Sequence, residues 1–107
     1  MTNDDTRYLK GAPVAARIIE AVRGEALEAA GAGWPPTLVS IAVGDVDAVD
    51  VYVRNQRRNA EKAGIGFIER RFAETVTAGE LEAAIAGMNA DPRITGIIIQ
   101  RPVPAHI

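Results

Sequence analysis

Cysteine is absent from the 107 residues and histidine occurs once, at position 106. Disulfides and thiolate metal sites are therefore excluded, and one imidazole leaves no transition-metal cluster to assign. Basic residues are not in excess: the net charge is −2, which argues against a nucleic-acid partner, because such proteins neutralise phosphates with a strongly basic face. Long apolar runs are missing too. No stretch approaches the ~18 residues of a membrane span, so no membrane partner is expected. The start, Met1-Thr2-Asn3-Asp4-Asp5-Thr6, is acidic and polar and lacks the basic and apolar parts of a signal peptide. The expected location is cytoplasmic. No Gly-x-Gly-x-x-Gly element occurs, so no cofactor-binding or metal-binding residue is assigned and this chain alone is not expected to hold a dinucleotide.

What is present is a core. Apolar side chains make up 48% of the chain, enough for one domain that buries roughly 60 to 70% of its unfolded surface without staples. Pro13, suited to a first helical turn, opens a segment in which Val14, Ile18, Ala21 and Val22 recur at helical spacing. This predicts a helix over 12–30, ended by Gly31 and Gly33. Trp34-Pro35-Pro36 imposes extended backbone before a strand over 37–43, which stops at Gly44. Asp45 or Asp47 can cap the next helix, with Val49, Val53, Ala60 and Ala63 inward and Arg54, Arg57, Arg58, Glu61 and Lys62 outward, until Gly64. A strand over 67–72 follows. Thr77 is the cap of a third helix with Leu81, Ala84, Ile85 and Met88 as its core stripe. The last strand, 94–100, is the most apolar.

Alternating strands and helices imply an α/β fold, a three-layer sandwich of a small parallel sheet in strand order 2-1-3 with helices on both faces. Residues 97–99 are three successive isoleucines, a pattern suited to a sheet centre, yet the order leaves that strand at an edge. A second copy in a homo-oligomer, or a partner subunit, is expected to cover it. His106, next to the terminus, is expected to be disordered rather than catalytic.

In open parallel sheets ligands bind beyond the carboxyl ends of the strands, where neighbouring connections diverge. Gly44 and Gln100 fall at such ends. Tyr52 and Gln56, four apart on the helix after Gly44, share a face and can reach the same crevice as Gln100. Taken singly each has a bland reading: Tyr52 as a half-buried core residue, Gln56 as a surface residue, Gln100 as loop polarity. Together they form a candidate binding constellation.

Two segments carry a closer match. Gly44-Asp45-Val46-Asp47-Ala48-Val49-Asp50-Val51-Tyr52-Val53-Arg54-Asn55-Gln56 and Gly96-Ile97-Ile98-Ile99-Gln100-Arg101-Pro102-Val103-Pro104 resemble two signatures of the methylenetetrahydrofolate dehydrogenase/cyclohydrolase family. The likeness runs in register from Leu9-Lys10-Gly11 through Ala63-Gly64-Ile65, as in that family's folate-binding catalytic domain. It implies a tetrahydrofolate derivative as substrate, with Tyr52 packing on the pterin-like ring and Gln100 near the one-carbon bridge; Arg101 and Pro102 complete the substrate contacts. The family's first signature places a proton-transferring Lys four residues after the Tyr. Here that residue is Gln56, which cannot ionise, so general acid or base catalysis worth about 10² to 10⁴ in rate is unsupported. Val49 and Arg101 depart from the pattern as well. Arg101, with Arg57 or Arg58, suits the carboxylate tail of a folate-like ligand. NADP enters only if a dinucleotide-binding domain, absent from residues 1–107, is supplied elsewhere.

Three readings follow: a methylenetetrahydrofolate dehydrogenase-type domain with cyclohydrolase activity weakened or lost, a catalytically silent interaction module, or a divergent enzyme using the same pocket on a specialised substrate.

Overall fold

A computed structural model describes residues 9–107. The elements in chain order are α1 (Gly11–Gly31), β1 (Thr37–Val43), α2 (Asp47–Lys62), β2 (Gly66–Phe72), α3 (Ala78–Asn89) and β3 (Gly96–Ile99). The strands form one parallel sheet in the order β2-β1-β3, the order expected from alternating helices and strands. Central β1 pairs along its whole length with β2, Thr37 opposite Gly66 through Val43 opposite Phe72, and more briefly with β3, Leu38 opposite Gly96 through Ile41 opposite Ile99.

Alternation along β1 divides the core in two. Val39, Ile41 and Val43 point to one face, where Val76 and the Leu81 and Met88 of α3 close over them with Ala84, Ile85, Ile97 and Val103. Ala42 points to the other, against Val49 and Val53 of α2, with Val46 and Phe67 alongside. The stripes expected on α2 and α3 are the ones that pack: Val49, Val53, Ala60 and Ala63 are buried, as are Leu81 and Met88. Thr77 caps α3 as expected, its hydroxyl accepting a 3.1 Å hydrogen bond from the Glu80 amide.

Four expectations need correction. On α1 the stripe of Val14, Ile18 and Ala21 is exposed, and the seam that turns inward is Ile19, Val22, Ala26 and Ala29. Both sets satisfy helical spacing; Gly64 selects between them, because a Cβ there would lie only 3.6 Å from the Ala26 Cβ, and its φ of +75° suits a residue without one. Neither Asp45 nor Asp47 caps α2. The cap position is Val46, with no side-chain hydrogen bond, while Asp47 and Asp50 lie in the first turn, where carboxylates favour the positive end of the helix dipole. β3 is shorter than 94–100. Residues 94 and 95 turn away, the Ile94 amide bonding to Asp91, and Thr95 meets Thr37 through one backbone and one side-chain bond. Finally, His106 is placed in the fold: Nε2 donates to the Val76 carbonyl oxygen at 2.8 Å, drawing the closing segment onto the loop before α3.

No helix among the described residues is long and apolar enough to cross a membrane.

Candidate functional site

The site forms where the carboxyl ends of β1 and β3 meet α2. Gly44, with φ of +77°, reverses the chain after β1. Its amide donates to Phe72 at 2.9 Å, so the turn is tied to the end of β2. α2 then runs back over the sheet, presenting residues four apart on one face.

Gln56 and Gln100 meet there. The Gln100 Nε2 donates to Gln56 Oε1 at 2.7 Å and to Ser40 Oγ at 2.9 Å. Gln100 is 8% exposed and Ser40 2%, so this is a buried chain of neutral polar groups with each member partnered. β3 continues into it, the Gln100 amide bonding to the Ile41 carbonyl at 2.8 Å. Tyr52 lies one turn closer to the start of α2, 69% exposed and outside the hydrogen-bonded chain, so its ring is open to solvent. Pro102 lines a cleft of about 200 Å³ with Gly44, Asp45, Val46, Glu74 and Pro104; the Arg101–Pro102 bond is cis. A second cleft of about 500 Å³ adjoins it at the end of β2, sharing Gly44, Asp45 and Glu74. Neither cleft is lined by Tyr52, Gln56 or Gln100, and the hollow that Gln100 itself lines, with Val49 and Pro102, is closed.

Arg101 is exposed beside Pro102. Arg57 does not join it. Its guanidinium pairs with Glu69 at 3.1 Å and lies 5.2 Å over the Phe67 ring, on the β2 side of α2, away from β3. Of the three arginines expected around a carboxylate tail, Arg101 and Arg58 remain exposed.

Two residues escaped the sequence reading. Ser40 is the one hydroxyl inside the apolar run of β1 after Thr37, and that isolation was the available signal. Arg71 gave none. It donates to the Gly44 carbonyl and to Asp45 Oδ1, both at 2.9 Å, and pairs with Asp50. Hydrogen bonding to Asp50 foremost, with attraction to both carboxylates, raises its pKa. Arg71 thereby fastens the β1–α2 turn to β2.

A cleft of about 340 Å³ at the opposite end of the sheet is lined by Val39, Ile68, Met88 and Ile94, with Arg70 and the Asp91–Arg93 pair. Its aspartate is already satisfied by Arg93. Among the described residues no group of three metal-ligating side chains occurs.

An open parallel α/β sheet, with a polar constellation and clefts at its carboxyl ends, defines a small-molecule-binding domain of the α/β class. Residues 9–107 match the model of the tetrahydrofolate dehydrogenase/cyclohydrolase catalytic domain, and the chain belongs to that family. It is 72% identical over 104 residues to bifunctional protein FolD 2 of Mesorhizobium japonicum, covering 97% of this chain and 34% of the relative. Bifunctional protein FolD 3 of Roseobacter denitrificans is 48% identical over 103 residues, again 34% of its length. Among solved structures, the FolD methylenetetrahydrofolate dehydrogenase/cyclohydrolase of Campylobacter jejuni aligns with TM-score 0.86 and 31% identity over 90% of this chain and 34% of that one. The enzyme of Trypanosoma brucei, solved with NADP cofactor and inhibitor, aligns with TM-score 0.82 and 29% identity over 92% of this chain and 34% of that one. The chain thus spans about a third of the length of these relatives.

Proposed function

We propose that this chain is the tetrahydrofolate-binding domain of a one-carbon enzyme of the methylenetetrahydrofolate dehydrogenase type, with cyclohydrolase activity weakened or lost. The observation that carries this reading is the contact of Gln56 with Gln100 at the carboxyl ends of the strands. The family signature places a lysine where this chain has an amide.

The roles follow from the chemistry of the groups. Tyr52 offers an exposed aromatic face to the pterin-like ring at the rim. Gln100 and Gln56 orient the one-carbon bridge through neutral hydrogen bonds, while Pro102 shapes the wall and Arg101 receives the carboxylate tail. Opening a methenyl ring requires water to attack the bridge carbon and a proton to be relayed away. Neither amide can hold that proton between its two states, so the ring persists. Removal of hydride from a methylene bridge makes no such demand on position 56. The chain supplies no Gly-x-Gly-x-x-Gly turn after any strand, so the hydride acceptor, NADP, has to be held by a dinucleotide-binding domain outside these residues. A cytoplasmic location accords with this role.

Calorimetric titration with tetrahydrofolate tests the reading. Saturable binding is expected, weakened at least about tenfold in Gln100→Ala, the loss of a buried hydrogen-bonding group. A folded chain that takes up no heat-detectable folate rules the assignment out.

A second reading is favoured by β3. This four-residue edge strand leaves Ile99 44% exposed, a surface suited to pairing with a partner subunit or a second copy. Light scattering distinguishes the two: a monomer at high concentration that binds folate supports the enzyme domain, and a concentration-dependent dimer without folate binding supports an interaction module.

A further inference from the structure

We infer that Arg71 is a positioning residue: together with Glu69 it sets where α2 lies along β2, and so where Tyr52 and Gln56 stand relative to Gln100. The effect on ligand affinity rests on the tetrahydrofolate reading; the placing of α2 does not.

α2 starts without the usual restraint. Its cap position, Val46, makes no side-chain hydrogen bond, so the opening of the helix depends on other partners. Arg71 supplies a tie from β2. Its Nη1 donates at 2.9 Å to both the Gly44 carbonyl and Asp45 Oδ1, and its Nη2 pairs with Asp50 in the first turn of α2. A planar guanidinium fork can hold three such groups in one geometry; the ammonium of a lysine is a point charge without that fork.

A second tie has the reverse polarity. Two turns further along α2, Arg57 pairs with Glu69 of β2 at 3.1 Å. Acid on the helix meets base on the strand at one end, and base meets acid at the other. Residues 67, 69 and 71 share one face of β2 by alternation, the face that Phe67 turns to Val49 and Val53 of α2, so the two pairs lie along one line. Sliding α2 in one direction brings Arg57 toward Arg71, and in the other brings Asp50 toward Glu69. Both place like charges together, so the crossed pattern favours a single register. Val49 and Val53 bury α2 against the sheet, but apolar contact is non-directional and restrains sliding less than crossed charges do. Tyr52 and Gln56 belong to the stretch between the two ties, residues 50–57.

The paired side chains are about 40% exposed, so the effects should be modest and sensitive to salt. In the full chain, Arg71→Met should speed backbone amide exchange at Val49 and Asp50, which bond to the Val46 carbonyl, by about threefold to fivefold while the amides of β1 keep their rates. Arg71→Lys, which retains the charge without the fork, should recover only part of that protection. Arg71→Glu should add repulsion, and Arg71→Glu combined with Asp50→Arg should return the rates toward wild type. Tetrahydrofolate affinity should follow the same order, with a loss of about threefold to fivefold in Arg71→Met that closes in molar salt. Exchange that rises equally throughout the chain would mark a merely stabilising residue and overturn the inference. No recovery in the charge-exchanged pair overturns it too, as does folate affinity unmoved by Arg71→Met. If tetrahydrofolate is not bound at all, the ligand reading falls and the exchange rates alone decide the placing of α2.

Discussion

The two flanks of α2 solve the same problem with opposite chemistry. Toward β3, Gln56 reaches a buried chain of neutral amides and a hydroxyl. Toward β2, Asp50 and Arg57 reach Arg71 and Glu69, all of them about 40% exposed. A neutral network in a dry place is strong because each missing partner leaves a desolvated group unpaired. Exposed ion pairs are screened by water and salt, and fix geometry at little net energy. The flank toward β3 is thus the one in which a single substitution has the larger consequence.

The largest effect should come from converting one flank toward the other. Gln56→Lys places an ionisable group against Gln100, whose amide must turn over to accept from it while Ser40 donates. Methenyl-tetrahydrofolate hydrolysis, followed by loss of its absorbance, should rise by about 10² or more, the scale of general acid–base catalysis. An unchanged rate would sink the assignment of position 56 to proton transfer.

Gln100→Leu should come next. It strands the buried Ser40 hydroxyl and leaves the Gln56 oxygen without its donor, at a cost of roughly 1 to 3 kcal/mol in urea unfolding, insensitive to salt. Arg71→Met on the opposite flank should cost no more than about 1 kcal/mol, and that difference should vanish in molar salt. If the salt dependences were reversed, the contrast between the flanks would be wrong.

The smallest effect lies away from both. Asp91, held down by hydrogen bonds from the Arg93 side chain and amide, has its pKa lowered from 3.8 to about 2. A carboxyl depressed in the fold contributes above its unfolded value and loses that contribution as pH falls toward the folded one. Acid titration should show Asp91→Asn narrowing the stability loss between pH 3.8 and about 2, with no change near neutrality.

Much of this was legible in the chain. Periodicity placed all six elements, and Thr77 showed its own cap, because local spacing and capping depend on neighbours a few residues apart. The strand order followed from the alternation of helices with strands. The meeting of Gln56 with Gln100 could be anticipated for the same reason, since strand ends and helix faces are countable; Tyr52, on the same face of α2, is exposed and outside that contact.

What tertiary structure alone decided involves residues far apart. The inward face of α1 was settled by the close approach of Ala26 to Gly64, since two stripes fitted the helical period equally well. Arg57 was drawn to Glu69 and Phe67 of β2 rather than left free beside Arg101 for a carboxylate, and Asp45 was taken by Arg71 instead of capping α2. Ser40 and Gln100, sixty positions apart, became partners through the pairing of β3 with β1. Sequence determined the fold class, the family and the missing ionisable group at position 56. That Ser40, Gln100 and Gln56 form one chain of hydrogen bonds was decided only when β3 paired with β1, because no local spacing relates a strand residue to one sixty positions away.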